Sequence, residues 1–213
     1  QGERDYSGGK AYSQSKLEQA LELLQGAAQA ATLEGQWNLQ AQALVAQGKV
    51  YRDLGEAKEA LDCLDKALEL ACDHADTATE GSALNQRAGV NHSLGEYALA
   101  LKDLTRSLEL ASEQHDDRRI ANTLIIMGIL STKLADYPRA LAMFSEAHQR
   151  ITALQNPTLE GECFVNLALL YEDMGDDTKA LETQQLALQT VSGLENRVLE
   201  AIITVNMGYT QHR

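Results

Sequence analysis

One pattern returns along this chain at a fixed interval of forty residues, and it limits the fold more than any other feature. Gly48, Tyr51, Leu54, Gly55, Ala60, Leu61, Leu64, Ala67 and Leu68 state it first. Forty residues on, the same positions hold Ala88, Asn91, Leu94, Gly95, Ala100, Leu101, Leu104, Ser107 and Leu108. They then read Gly128, Ser131, Leu134, Ala135, Ala140, Leu141, Phe144, Ala147 and His148, and finally Ala168, Tyr171, Met174, Gly175, Ala180, Leu181, Gln184, Ala187 and Leu188. A unit this short cannot bury its own apolar face. A recurrence held without slippage therefore implies units stacked flank to flank rather than one globular core.

Each unit reads as two helices. Leu44, Gly48, Tyr51 and Leu54 share one face at spacings of three and four, and Gly55 supplies a left-handed stop. Ala60, Leu61, Leu64, Ala67 and Leu68 then form the facing stripe of a second helix, with small residues at the joint that let the two axes approach. The composition agrees. Aromatics are 5% of the chain and there are two prolines, so little in it favours strands. The fold class expected is all-α: a right-handed α-solenoid of stacked antiparallel helix pairs.

Along the chain, residues 1–9 contain Ser7-Gly8-Gly9 and read as a disordered lead-in to a single array over 10–213. Residues 10–35 match the second half of a unit through Ala20, Leu21, Leu24 and Ala27. Full units are expected over 36–76, 76–115, 116–155 and 156–194, and residues 195–213 hold the first helix of a further one. Pro138 and Pro157 fall in first turns, where a missing N–H does least harm. Ile202, Ile203, Val205 and Met207 sit on a last helix with no successor. Either the natural chain continues, or two copies pack end to end; the opening Gln likewise suggests a piece of a longer protein.

These positions resemble the tetratricopeptide repeat (TPR), whose pattern of Gly, Tyr, Ala and a large residue four further on is met by Gly48, Tyr51, Ala60 and Leu64, and again by Gly128, Ala140 and Phe144. The forty-residue spacing exceeds the usual thirty-four, as in the longer repeats of kinesin light chains, cell-polarity adaptors and bacterial peptide-sensing proteins. The resemblance implies that the first helix of each repeat (helix A) lines a concave groove and that the second (helix B) forms the back.

The groove stripe by spacing takes in Gln42, Val45, Lys49 and Arg52, then Ser82, Asn85, Gln86, Gly89 and His92. Asn122, Ile125, Ile126, Ile129 and Thr132 follow, then Glu162, Val165, Asn166, Leu169 and Glu172, and in the last helix Ile202, Val205, Asn206 and Tyr209. The ligand-contacting set expected is Lys49, Arg52, Asn85, Gln86 and His92, then Asn122, Ile125, Ile126 and Ile129, then Asn166, Leu169 and Asn206. The isoleucines and Leu169 offer an apolar anchor, and the amides pair with a peptide backbone as both donor and acceptor. The competing reading makes the isoleucines core, Asn166 and Asn206 ladder residues, and Lys49 plain solvated surface.

The net charge of −13 disfavours nucleic acid and anionic membranes. No apolar run reaches the roughly 18 residues a bilayer needs. Cys63, Cys72 and Cys163 form no CxxC pair, which suits thiols filling core gaps in a reducing cytoplasm. No HExxH, no His/Cys cluster at metal spacing and no phosphate-binding loop occurs, and His148 reads as a partly buried, satisfied histidine. No enzyme activity, cofactor or metal is expected. The expected function is a protein- or peptide-binding scaffold, the docking or sensory part of a larger signalling protein. The alternative is self-association as a homodimer through the C-terminal helix.

Overall fold

The computed structural model describes residues 2–194 and 196–212, with side chains from residue 14 onward. Among these, ten helices follow one another: α1 (Gly2–Leu33), α2 (Trp37–Leu54), α3 (Ala57–Asp73), α4 (Thr77–Ser93), α5 (Tyr97–Glu113), α6 (Asp117–Lys133), α7 (Tyr137–Leu154), α8 (Pro157–Asp173), α9 (Asp177–Val191) and α10 (Arg197–Gln211).

The starts of these helices are written in the sequence at the forty-residue interval. Asp76, Asp116, Asn156 and Asn196 each accept a hydrogen bond from a backbone N–H of the first turn, at Thr79, Arg119, Leu159 and Leu199. Asp136 and Asp176 do the same for α7 and α9 through the amides of Arg139 and Lys179. Each such cap satisfies a donor that the helix itself leaves open, worth about 1 kcal/mol. The amide and guanidinium of Arg119 also hold the Asp116 carboxyl below its ordinary range. Acidic residues in these turns thus have a structural task.

The stops recur at half that interval. Gly35, Gly55, Ala75, Gly95, His115, Ala135, Gln155 and Gly175 all have positive φ, between 51° and 82°. At Gly55 its amide donates to Arg52 and the Glu56 amide donates to Tyr51, closing the last turn with two bonds. The same pair recurs at Ala135, where its amide donates to Thr132 and that of Asp136 donates to Ser131. Alanine in this conformation costs about 1 kcal/mol that glycine would not. Each stop ends its helix within a few residues, and the two helices of a repeat lie antiparallel.

Over the stretch expected as a lead-in, α1 begins at Gly2 and carries helical backbone through residues 2–9; Gln1 lies outside the described residues. Two adjacent glycines lower helix propensity without imposing a stop.

The chain divides into two compact units, Gln1–Leu110 and Ala111–Arg213, where the sequence pattern alone reads as one array. In the first, Ala60, Leu64, Ala67, Leu68, Ala83, Leu84, Val90 and Leu110 form the core, with Leu44, Tyr51 and Leu61 packed against it. In the second, Ala187, Val191, Leu199 and Ile203 form a core cluster flanked by Phe164, Val165 and Met207. Both are stacks of antiparallel helix pairs, the α-solenoid class expected.

The joint between the two helices of a repeat is closed by a small residue facing a large one. A Cβ added at Gly48 would lie 2.6 Å from Leu64 Cγ, and one at Gly128 would lie 2.8 Å from the Phe144 ring. Leu64 and Phe144 are buried, so neither has free space to retreat into. In the register, Tyr51 is followed by Asn91, Ser131 and Tyr171, and its hydroxyl accepts from Gln25 Nε2 at 3.1 Å, tying α2 to α1. At the start of α2, Trp37 stacks on His74 with ring centroids 4.1 Å apart.

Candidate partner-binding surface

In the first unit α2 and α4 lie side by side, each the first helix of its repeat. Lys49 is exposed and Arg52 half-buried on α2. Arg52 donates from Nη1 to Gln86 Oε1 at 2.7 Å, and from Nη2 to Asp53 Oδ1 at 2.9 Å. Two of the expected site residues, Arg52 and Gln86, are therefore joined across the helix pair, but the guanidinium's charge is already matched by Asp53. Asn85 is half-buried beside them in sequence. His92 packs its ring against Tyr97, centroids 5.8 Å apart, at the turn into α5. Gln42, Val45 and Ser82 line a shallow cavity of about 260 Å³ between the two helices.

In the second unit α6, α8 and α10 are the first helices, and α8 touches both others. Ile125 departs from expectation: it is 7% exposed and belongs to the core. The reason is the breadth of burial on α6, where Leu124, Ile125, Met127 and Gly128 are all covered, so apolar residues there fill the interior as well as the outer stripe. Asn122, Ile126 and Ile129 are half-buried, and Leu169 on α8 is exposed. Asn166 donates from Nδ2 to the Glu162 carbonyl of its own helix at 2.8 Å, which fits neither a ladder to another repeat nor a fully free amide. Asn206 is half-buried on α10, and its carbonyl oxygen lies 2.9 Å from Thr210 Oγ1.

An exposed apolar row lies on α10. Val198 is 72% exposed, Tyr209 73%, and Ile202 and Val205 fall between them on the same stripe. Only Leu199, Ile203 and Thr210 of this helix are buried. Ile202, Val205 and Tyr209 lie on the expected stripe though outside the expected contact set, and Val198, four residues before Ile202, extends that stripe beyond what was expected.

Two polar constellations lie outside the expected contact set. Arg87 on α4 donates from Nη2 to Asp103 Oδ1 and from Nη1 to Asp65 Oδ1, both at 2.7 Å, bridging α5 and α3. Asp103 is 4% exposed, and its carboxylate strengthens the hold of Arg87 on its proton. In the second unit the buried Gln184 donates to Glu172 Oε1 at 2.8 Å, and the Thr210 hydroxyl donates to the same oxygen at 2.6 Å. The register carried the signal: Gln184 stands where Leu64, Leu104 and Phe144 stand, and Thr210 where Val50, Val90, Leu130 and Leu170 stand.

Two further titratable groups, His148 and Cys163, are held in packed contacts. His148 is bonded through Nε2 to Glu160 at 2.9 Å and tilts against the Phe164 ring. Cys163 is buried, and desolvation pushes its thiol up to about 12, far from any nucleophilic range. Among the described residues no group of His, Cys, Asp and Glu is placed to hold a metal ion, and no helix is long and apolar enough to cross a membrane.

Helix pairs of this geometry, stacked with their first helices side by side, are those of a helical-repeat interaction scaffold. The chain belongs to the tetratricopeptide repeat family, whose profiles match residues 10–73, 79–153 and 161–190. Among solved structures it is similar to BtubC (BKLC) from P. vanneervenii, with 15% identity, a TM-score of 0.77, and coverage of 91% of this chain and 82% of that one. It is also similar to a signal transduction ATPase with numerous domains (STAND) from Pyrococcus horikoshii that carries a tetratricopeptide repeat sensor. That match has 18% identity and a TM-score of 0.67, covering 80% of this chain but 27% of that one. YrrB, described as a TPR protein with an unusual peptide-binding site, matches at 22% identity with a TM-score of 0.50, over 90% of this chain and 85% of its own. At these identities the likenesses establish the fold alone. No curated protein matches the sequence.

Proposed function

We propose that this chain is a protein- or peptide-binding scaffold that receives its partner on the face built by the first helices of its repeats, as the docking or sensory part of a larger protein. The observation that carries this is the apolar exposure of neighbouring first helices in the second unit: Leu169 on α8, and Val198, Ile202, Val205 and Tyr209 on α10. A merely solvated face would be polar, and contiguous exposed apolar surface marks an interaction site. The peptide-binding site of YrrB and the repeat sensor of the STAND protein support the reading by analogy of fold. A reducing cytoplasm suits the three unpaired thiols.

A second reading is favoured by one detail. The spacing of Val198, Ile202, Val205 and Tyr209 is that of a seam between two helices, so α10 could meet α10 of a second copy. Light scattering separates the two, since a monomer at high concentration removes self-association.

The main reading is tested by paired surface variants. Leu169→Arg with Val205→Arg is expected to abolish recovery of partners in affinity capture and to leave helicity unchanged. Leu99→Arg with Leu186→Arg alters residues of similar exposure on second helices and is expected to leave recovery intact. Equal loss with both pairs, or loss with neither, would count against the assignment.

A further inference from the structure

A cavity of about 300 Å³ opens between α8 and α10, walled by Val165, Val198, Leu199 and Ile202. Its volume is at the small end of ligand pockets and suits one large side chain rather than an extended ligand. Three polar residues stand at its rim: Glu162, Asn166 and Asn196. Two are already committed in part. Asn196 accepts from the Leu199 amide through Oδ1 at 3.2 Å, and Asn166 donates to its own helix. The Glu162 carboxylate enters no hydrogen bond or ion pair among the described residues. At its place in the register the other repeats carry Gln42, Ser82, Asn122 and Ile202, so the acid belongs to this site alone.

We propose that this cavity seats one aliphatic or aromatic side chain of a partner segment that carries a lysine or arginine within two residues of that anchor. This rests on the reading of the first-helix face given above and narrows it to one partner chemistry. The apolar walls supply affinity for any bulky anchor and cannot choose between sequences. The choice comes from charge: an unmatched carboxylate at the mouth attracts a cationic flank and repels an acidic one. The chain's net charge of −13 acts in the same direction at longer range and disfavours a second copy of this chain as the occupant.

The test is selection of a phage-displayed library of random peptides of about twelve residues on the full chain, followed by anisotropy with the selected peptides. The selected sequences are expected to carry Leu, Ile or Phe with Lys or Arg within two residues. Val198→Ser should weaken them about five- to tenfold through the lost wall. Glu162→Gln should weaken them about three- to fivefold, an effect that fades at about 0.5 M salt. Glu162→Lys, at an exposed position, should turn the preference toward acid-flanked anchors.

Selected peptides with neutral or acidic flanks, or a cationic preference that survives Glu162→Lys, would overturn the proposal. Peptides insensitive to both the Val198 and Glu162 changes but lost on Leu169→Arg would overturn this site while sparing the face. Failure to select any peptide would sink both. A dimer in sedimentation that Val198→Ser converts to monomer would assign the cavity to a second copy instead.

Discussion

Cutting Phe144 back to alanine is expected to destabilise the unit of residues 111–213 by about 3–5 kcal/mol, read as a fall in its urea midpoint without a change in slope. Phe144 is 1% exposed and its ring lies over Gly128, where even one added carbon would be 2.8 Å away. Removing the ring leaves a void that two rigid helices cannot close. The converse change tests the same joint from the other side: Gly128→Ala overpacks it and should cost about 1–3 kcal/mol. The second repeat shows how the strain can be relieved, since it places Ala88 and Leu104 where the third has Gly128 and Phe144. Gly128→Ala with Phe144→Leu should therefore recover most of what either change loses. Strictly additive losses would mean the two residues do not set each other's size.

Replacing Arg87 by methionine is expected to cost about 3 kcal/mol, more than any other single charge removal in this chain. The loss comes from what is left behind. Asp103 would remain buried on α5 with no cation, and stranding one partner of a buried pair costs several kcal/mol. Asp65 is more exposed and would rehydrate, so it contributes little. The same two register positions hold Gln47 and Cys63 in the first repeat, joined by a weak bond of 3.7 Å, and Met127 and Met143 in the third. The fold accepts an apolar pair there. Arg87→Met with Asp103→Met should thus regain stability to near the natural level, measured by chemical denaturation. A double variant as unstable as the single would show that the ion pair itself, rather than the stranded carboxylate, sets the balance.

The fold was legible because its two periodicities, the helical stripe and the forty-residue recurrence, are carried by apolar and small residues whose spacing survives in plain sequence. The half-period was hidden. Left-handed stops fall every twenty residues, but Ala75, His115 and Gln155 occupy the ones between the full repeats, and none of these residue types advertises positive φ as glycine does. The proposed interaction face was partly legible for a similar reason. Spacing places Ile125 on the outer stripe, yet α6 is covered over so much of its circumference that the stripe dips into the core. Gln184 and Thr210 were visible as polar residues in apolar registers, but pairing them with Glu172 needs three helices in space. The Arg87–Asp103 pair is of the same kind, with partners sixteen residues apart on facing helices.

The proposed partner face can be probed directly on both sides of the helix pairs. A photo-crosslinking residue placed at Val205 on α10 samples the first-helix face, and one at Leu186 on α9 samples a second helix at similar exposure. Irradiation with partner present should give crosslinked product from position 205 and none from position 186. Crosslinking from position 186 alone would contradict the account.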